Sequence, residues 1–326
     1  MFMSSTSTCT LPSVGPRILI NERYPGLVRV HNNPDIYVIE DFLDPKSCED
    51  LMESAKEKKL DPSPVAYAGW TDDFKTLVEL AAKGPVTWLA IGISWLQIKN
   101  DAGASQVDLI VHMLQNFGIL LVAAVAAIAF FTKSRAESLQ KLRTSTSTTV
   151  DDLNNTQGGA ATFVRKAAML FSCENDDGPL QKEASIFEAP TVIRYEAGQV
   201  LAPHYDANRS ASVEDSNRGG QTLATLLVYL NEVEKGGLTR FGKLLPPTGS
   251  KELMKQCDES EKSLAIKPKQ GDALLFFPAD ANGQFDERTE HEGMEAIDEK
   301  WIARIWRHSY RVPPPFGLSE EALKQI

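Results

Sequence analysis

From residue 189 to residue 309 the chain is a succession of short β-prone runs, at 189–195, 200–206, 222–230, 262–267, 272–277, 287–292 and 300–309, parted by Gly, Pro, Asn and Asp. Strands this short are not stable alone, so they must close on one another as paired sheets. Helix signals come earlier. Asp44-Pro45 starts a helix over 46–58 with Cys48, Leu51, Met52 and Ala55 on one side, and Ala161–Phe171 has an amphipathic period. Residues 35–43 read as a strand, and the β-branched stretch 143–150 as extended chain. Helices first and strands last, with no internal repeat, predict a mainly β domain with flanking helices (α+β), built as a two-sheet barrel.

His204-Tyr205-Asp206 falls on one of these runs. Side chains two apart on a strand point the same way, so His204 and Asp206 can share one metal ion. With His291 they would form a two-histidine, one-carboxylate face, leaving half of an octahedral iron open to a cosubstrate and dioxygen. The H-x-D spacing by itself also arises by accident in a chain with 44 acidic residues and five histidines. The surroundings give it weight: Val192-Ile193-Arg194-Tyr195-Glu196-Ala197-Gly198-Gln199 before it, Gly219-Gly220-Gln221 and Ala224–Leu230 after it, then Gly236-Gly237-x-Thr239, His291-x-Gly293, Lys300-Trp301 and Trp306.

In these stretches the chain resembles the iron(II)/2-oxoglutarate dioxygenases, and within them the catalytic domain of the prolyl 4-hydroxylase alpha subunit. The likeness covers about 187–310, is weaker at 35–60 and 142–175, and is absent between. It implies a double-stranded β-helix (jelly roll), with Fe(II) held by His204, Asp206 and His291, 2-oxoglutarate as cosubstrate and ascorbate as a further cofactor. It implies that Lys300 meets the far carboxylate of 2-oxoglutarate and that Tyr195 and Thr239 add hydroxyl contacts. Lys300 is nine residues after His291 where the resembled enzymes usually have ten. The shortening falls in the turn 294–299, so Lys300, Ile302, Arg304 and Trp306 should still share a face. Arg304 is the alternative cation, and Trp306 is expected in the pocket wall. His31, His112 and His308 have no partner at useful spacing and read as structural or surface residues. Thr222 stands where the family usually carries an arginine after Gly-Gly-Gln, which puts prolyl-peptide specificity in question. The polar segments 143–157 and 207–219 are where lids over a substrate would lie.

Between the two parts of this domain lies an apolar insert. Leu109–Phe131 is 23 residues without a formal charge, followed by Lys133 and Arg135. That suffices for a span, which needs roughly 20 residues. The run 85–98, with Trp88 and Trp95, is short for a span but suits a membrane interface. Because the segments flanking the insert must fold together, a single crossing would separate them. Either both runs enter as an inserted apolar helical hairpin, or the first is re-entrant, or both are buried on a soluble domain. Lys133, Arg135, Lys141 and Arg143 crowd one side, which places the catalytic part on the cytoplasmic side of a membrane, with the organelle open. A glycan on the sequon Asn208-Arg209-Ser210 would crowd the iron site, which agrees with that side. The expected division is a flexible tail at 1–33, the first part of the dioxygenase domain at 34–60, the insert at 61–135 with candidate membrane helices 85–98 and 109–131, and the main part at 136–326.

A net charge of −10 argues against a nucleic-acid partner, which would want a basic face. The four scattered cysteines suggest neither a zinc site nor a disulfide framework. The N-terminal residues lack a basic start followed by an apolar core, so they do not read as a secretory signal, although a transit segment stays open. The expected partners are dioxygen, 2-oxoglutarate, a peptide or protein substrate, and membrane lipid. The expected activity is a membrane-associated 2-oxoglutarate-dependent dioxygenase that hydroxylates prolyl residues and decarboxylates 2-oxoglutarate to succinate. Two alternatives stand beside it: a hydroxylase of another side chain or of a small molecule, and an inactive, membrane-tethered jelly-roll binding module.

Overall fold

The computed structural model describes residues 14–63, 74–83, 85–99, 105–172, 180–209, 219–247, 255–258 and 260–326. Cys9, Cys173, the start of the chain and most of the segment 207–219 lie outside them. The chain divides into two compact units, one of residues 1–63 with 143–326 and the other of residues 64–142.

The first unit holds two antiparallel sheets. The larger contains β1 (Leu27–Asn32), β2 (Asp35–Ile39), β3 (Asp61–Pro62), β4 (Thr146–Thr149), β5 (Thr191–Tyr195), β7 (Thr222–Tyr229), β10 (Ala273–Phe276) and β12 (Lys300–His308), in the order β1-β2-β10-β7-β12-β5-β4-β3. The smaller contains β6 (Leu201–His204), β8 (Thr239–Phe241), β9 (Leu264–Ile266) and β11 (His291–Gly293), in the order β6-β11-β8-β9. This mixed architecture of antiparallel sheets and helices is consistent with the expected jelly roll.

All eight residues of β7 are buried, so both faces of the large sheet must be covered. One face, with Ala224, Leu226, Val228, Trp301, Ala303 and Ile305, meets Leu51 and Ala55 of α1 (Pro45–Glu57) and Phe163, Val164 and Ala167 of α5 (Gly159–Phe171). The other, with Ile193, Tyr195, Leu227, Tyr229 and Ile302, meets Phe241, Leu264 and Ile266 of the small sheet. Each large side chain so buried contributes about 1.5–3 kcal/mol. The start of α1 follows its sequence signal: Asp44 accepts a hydrogen bond from the Ser47 amide at 2.9 Å, and Pro45 occupies the first turn, where its missing N–H costs nothing. A short α6 (Leu180–Ala184) and a terminal α7 (Glu320–Leu323) complete the unit.

Three expectations change. Within the segment expected as a flexible tail, residues 14–32 pack: Ile20 is in the core, Arg17 binds Asp35 at 2.7 Å, and β1 pairs with β2. Residues 287–292 are not one strand, because Asp286 accepts from the Arg288 amide and sets a 3-10 turn over Glu287–Thr289 before β11 begins. Strand β8, three residues long, escaped notice between glycine turns.

The second unit contains α2 (Phe74–Lys83), α3 (Val86–Ile98) and α4 (Gln106–Gln140). Gln106–Phe131 is one helix long and apolar enough to cross a membrane, and none of its most apolar window is buried. At 1.5 Å per residue, the 13 residues of α3 reach roughly 20 Å, short of a hydrocarbon core of about 30 Å. Its buried residues are Val86, Ala90 and Ser94, one helical stripe, whereas Trp88 and Trp95 are exposed. Asn116 of α4 donates to Ser94 Oγ at 2.8 Å and Gln97 Oε1 at 2.9 Å, so the two helices share polar bonds.

Candidate active site

In the small sheet the register of β11 on β6 sets His291 directly opposite His204. Directly opposed residues have Cβ atoms about 5 Å apart, and here the two rings lie 4.2 Å between centroids. Strand β6 ends at His204, and the bend after it brings Asp206 onto the same side. One ligand atom from each of His204, Asp206 and His291 lies within 4.8 Å of the others. His204 Nε2 stands 3.5 Å from Asp206 Oδ1, and His291 Nε2 3.7 Å from Asp206 Oδ2.

The rest of each side chain is tied down. His204 Nδ1 meets Ala202 O at 3.0 Å and His291 Nδ1 meets Thr289 O at 3.1 Å. With Nδ1–H donating to a carbonyl, each ring is left with Nε2 as a free lone pair, the form a metal needs. Thr225 Oγ1 donates to Asp206 Oδ2 at 2.7 Å and fixes the carboxylate. Phe241 and Phe276 wall His291, and burial pushes its pKa down to about 4, so the ring is neutral near pH 7. Burial works against ionisation of Asp206, but His291, His204 and Arg304 outweigh it and hold the carboxyl well below its usual range. Two imidazoles and one carboxylate, converging without cysteine, suit Fe(II).

Between the two sheets the structure also brings together the other three residues expected to act. Lys300 opens β12 opposite Tyr195 of β5. It is 3% exposed, and its Nζ donates to Gly237 O at 2.5 Å. Among the described residues no carboxylate lies within 4.0 Å of it. Burial lowers its pKa to about 7. The Lys300 ammonium also lies over the Tyr195 and Tyr229 rings, at 5.6 and 5.4 Å from their centroids. Gly237 must be glycine here, since its φ is +64° and a Cβ would press on Lys300 Cδ at 3.0 Å. Thr239 is buried beside this group and accepts a hydrogen bond from the Tyr229 hydroxyl at 3.0 Å.

Tyr229 and Thr225 were not expected to serve the site. Both lie on the inward face of β7, opposite Ile302 and Trp306. A tyrosine in so apolar a strand was the available signal, because a buried hydroxyl needs a partner. Arg304, the alternative cation, is placed differently: its Nη2 lies 3.6 Å from Glu188 Oε2, too far for a hydrogen bond, and its guanidinium stacks 3.4 Å from the Trp306 ring centroid. His308 is structural, buried with Nδ1 3.1 Å from Gly220 O, and His31 Nδ1 meets Pro34 O at 2.7 Å.

Residues 190–308 match the family model of the 2OG-Fe(II) oxygenase superfamily. In this stretch the chain is similar to that superfamily, and His204, Asp206 and His291 all lie within it. Within that class it resembles the prolyl 4-hydroxylases. It is 38% identical to probable prolyl 4-hydroxylase 3 of Arabidopsis thaliana over 125 residues, which are 37% of this chain and 42% of that protein. It is 29% identical to probable prolyl 4-hydroxylase 9 of the same plant over 187 residues, 56% of this chain and 58% of that one. The chain thus spans about two fifths of the length of the first of these relatives. Among solved structures, a collagen prolyl hydroxylase of Paramecium Bursaria Chlorella virus-1 in complex with 2OG aligns at 19% identity and a TM-score of 0.35, covering 83% of this chain and 94% of that one.

Proposed function

We propose that this protein is a prolyl hydroxylase of peptides, with iron held by His204, Asp206 and His291 and 2-oxoglutarate anchored at Lys300. The observation that carries the reading is a buried lysine, without a carboxylate partner among the described residues, in the same unit as a two-histidine, one-carboxylate cluster. Bound iron and 2-oxoglutarate would supply the chemistry of the class, in which one atom of O2 enters succinate, the other becomes the substrate hydroxyl, and CO2 leaves. The protein's own residues orient and exclude. Thr225 and the Ala202 and Thr289 carbonyls hold the three ligands, while Tyr195, Tyr229 and Thr239 surround the ammonium with hydroxyls that favour a carboxylate beside it. Phe241 and Phe276 keep water from His291. Ascorbate belongs to this proposal on the strength of the resemblance.

Thr222, buried at the start of β7, favours a second reading in which another side chain or a small molecule is hydroxylated, since the resembled enzymes carry an arginine there. Membrane attachment through the apolar surfaces of α3 and α4, without a lone crossing by α4 that would part the two segments of the first unit, and with the catalytic part on the cytoplasmic side, is also proposed. Its support is the exposed apolar length of α4 and the exposed tryptophans of α3. The test is to incubate the full-length chain with Fe(II), 2-oxoglutarate and a set of proline-rich peptides, reading succinate and peptide mass. Succinate with one oxygen gained on proline supports the first reading, and succinate with unmodified peptide favours the second. Neither product would mean a binding module.

A further inference from the structure

Among the described residues two buried side-chain donors of β12, Arg304 Nε and Trp306 Nε1, have no hydrogen-bond acceptor; His308 Nε2 is also unpaired, but with Nδ1 on Gly220 O it offers a lone pair. Buried donors are nearly always paired, so a group of orphans points to an acceptor that the folded chain does not itself provide. Glu188 lies beside this group, its Oε2 3.6 Å from Arg304 Nη2 and its Oε1 3.4 Å from His308 Nε2.

The position of this group says which ligand it meets. Trp306 is paired with Thr225, whose hydroxyl holds Asp206, so the orphan donors stand beside the candidate iron ligands. Lys300 lies at the far end of the same face. A 2-oxoglutarate reaching from iron to Lys300 fills that end, and the C–H bond to be hydroxylated must approach from the Trp306 and His308 end. Stacking on the indole fixes the plane of the Arg304 guanidinium and leaves its edge for a planar acceptor. A forked, fixed guanidinium beside an indole N–H matches a carboxylate.

We propose that Arg304, held on Trp306, is a specificity-determining residue that receives a carboxylate of the substrate. On the prolyl hydroxylase reading, on which this inference rests, the substrate is then a peptide with a carboxylate close to the hydroxylated proline. Arg304 supplies the cation that Thr222 does not. The carboxylate can come from an acidic side chain or from a free C-terminus.

The test uses the full-length chain loaded with Mn(II) and 2-oxoglutarate, which binds without turnover, and three short proline peptides titrated by calorimetry. One has blocked ends and Gln beside proline, one has blocked ends and Glu there, and one has Gln and a free C-terminal carboxylate. At least one carboxylate peptide is expected to bind about tenfold tighter than the blocked Gln peptide. Which one does so identifies the source. Arg304→Gln should reduce the preference to about twofold or less with 2-oxoglutarate affinity unchanged, and Arg304→Lys should keep part of it. The parental comparison decides alone if Arg304→Gln does not fold. Equal binding of all three peptides overturns the proposal. So does an Arg304→Gln protein that loses 2-oxoglutarate affinity and keeps the peptide preference, because Arg304 would then serve the cosubstrate. Failure of 2-oxoglutarate itself to bind the Mn(II)-loaded chain sinks the dioxygenase reading, and this inference with it.

Discussion

The sheets of the first unit and the helices of the second use the same apolar residue types in opposite ways. In β7 every side chain is buried, and the polar ones near the cavity have assigned partners, Thr225 on Asp206 and Tyr229 on Thr239. In α3 and α4 the large apolar side chains Trp88, Leu114, Val122 and Phe130 are exposed, and the buried stripe of α3 is Val86, Ala90 and the polar Ser94, which accepts from Asn116. In water the first arrangement is what folding produces. The second is what a helix presents to lipid, where interhelical polar contacts replace the hydrophobic drive between helices. On the proposed function, chemistry belongs to the first unit and membrane attachment to the second, and each can be broken separately.

The largest effect is expected in the first unit. His204→Ala, Asp206→Ala and His291→Ala should each abolish iron-dependent succinate formation, because losing one of three ligands weakens binding and opens the wrong coordination positions. Near-parental turnover in any one of them, at parental iron concentration, would strike that residue from the set. The next effect belongs to the second unit. The chain should sediment with membranes and resist extraction by high salt, which screens only electrostatic contacts. Replacing residues 80–132 by a Gly/Ser linker should release a soluble protein that still makes succinate. A full-length chain soluble without detergent, or a deletion that unfolds, would erase the contrast between the units.

Much of the site was legible because strand parity is rigid. Lys300 in phase with Ile302 and Arg304 follows from a period of two that one turn residue fewer does not disturb, whereas Asp206 lies past the end of β6 and reaches the side of His204 through the bend. What parity cannot show is which strand lies opposite which. The pairing of His291 with His204 and of Trp306 with Thr225 depends on long-range register, and with it the roles of Thr225 and Tyr229. Strand β1 was hidden for a related reason. Leu27–Asn32 is a short alternating run beside a polar tail, and only pairing with β2 makes it a strand. The apolar insert was legible in length and composition. The run 85–98 was already legible as short for a span, and the bounds of α3 agree.

Lys300 sharpens the comparison within the first unit, since a buried ammonium is as foreign to an apolar core as an exposed Trp88 is to water. Lys300→Ala should raise the 2-oxoglutarate requirement by about 10- to 100-fold with metal binding retained, as expected for the loss of a charge-assisted contact of about 1.5–3 kcal/mol. The pH dependence has a definite sign. A bound carboxylate favours the ammonium form, and the free lysine holds its proton only below about 7. Affinity should therefore be greatest below pH 7 and fall as pH rises through it, by up to about tenfold per unit. Calorimetry of 2-oxoglutarate binding to Mn(II)-loaded protein between pH 6 and 9 checks this, and Lys300→Arg should flatten the profile. A flat parental profile would mean that the lysine stays charged without its ligand.

The smallest expected effect tests whether the polar groups inside the sheets are as purposeful as their pairing implies. Tyr229→Phe removes one hydroxyl that donates to Thr239 Oγ1 and leaves the buried ring in place. A neutral hydrogen bond contributes about 0.5–1.5 kcal/mol, so 2-oxoglutarate affinity should fall by about 2- to 10-fold if Tyr229 orients Thr239 toward the cosubstrate. A purely structural hydroxyl would show the same loss in thermal stability and none in affinity. The informative readout is thus the ratio of the two, with Thr239→Val as the partner substitution. If the hydroxyls act as one unit, the double variant should lose no more affinity than Thr239→Val alone. Additive losses would show that each meets the ligand independently, and an unchanged affinity in Tyr229→Phe would return this tyrosine to the core.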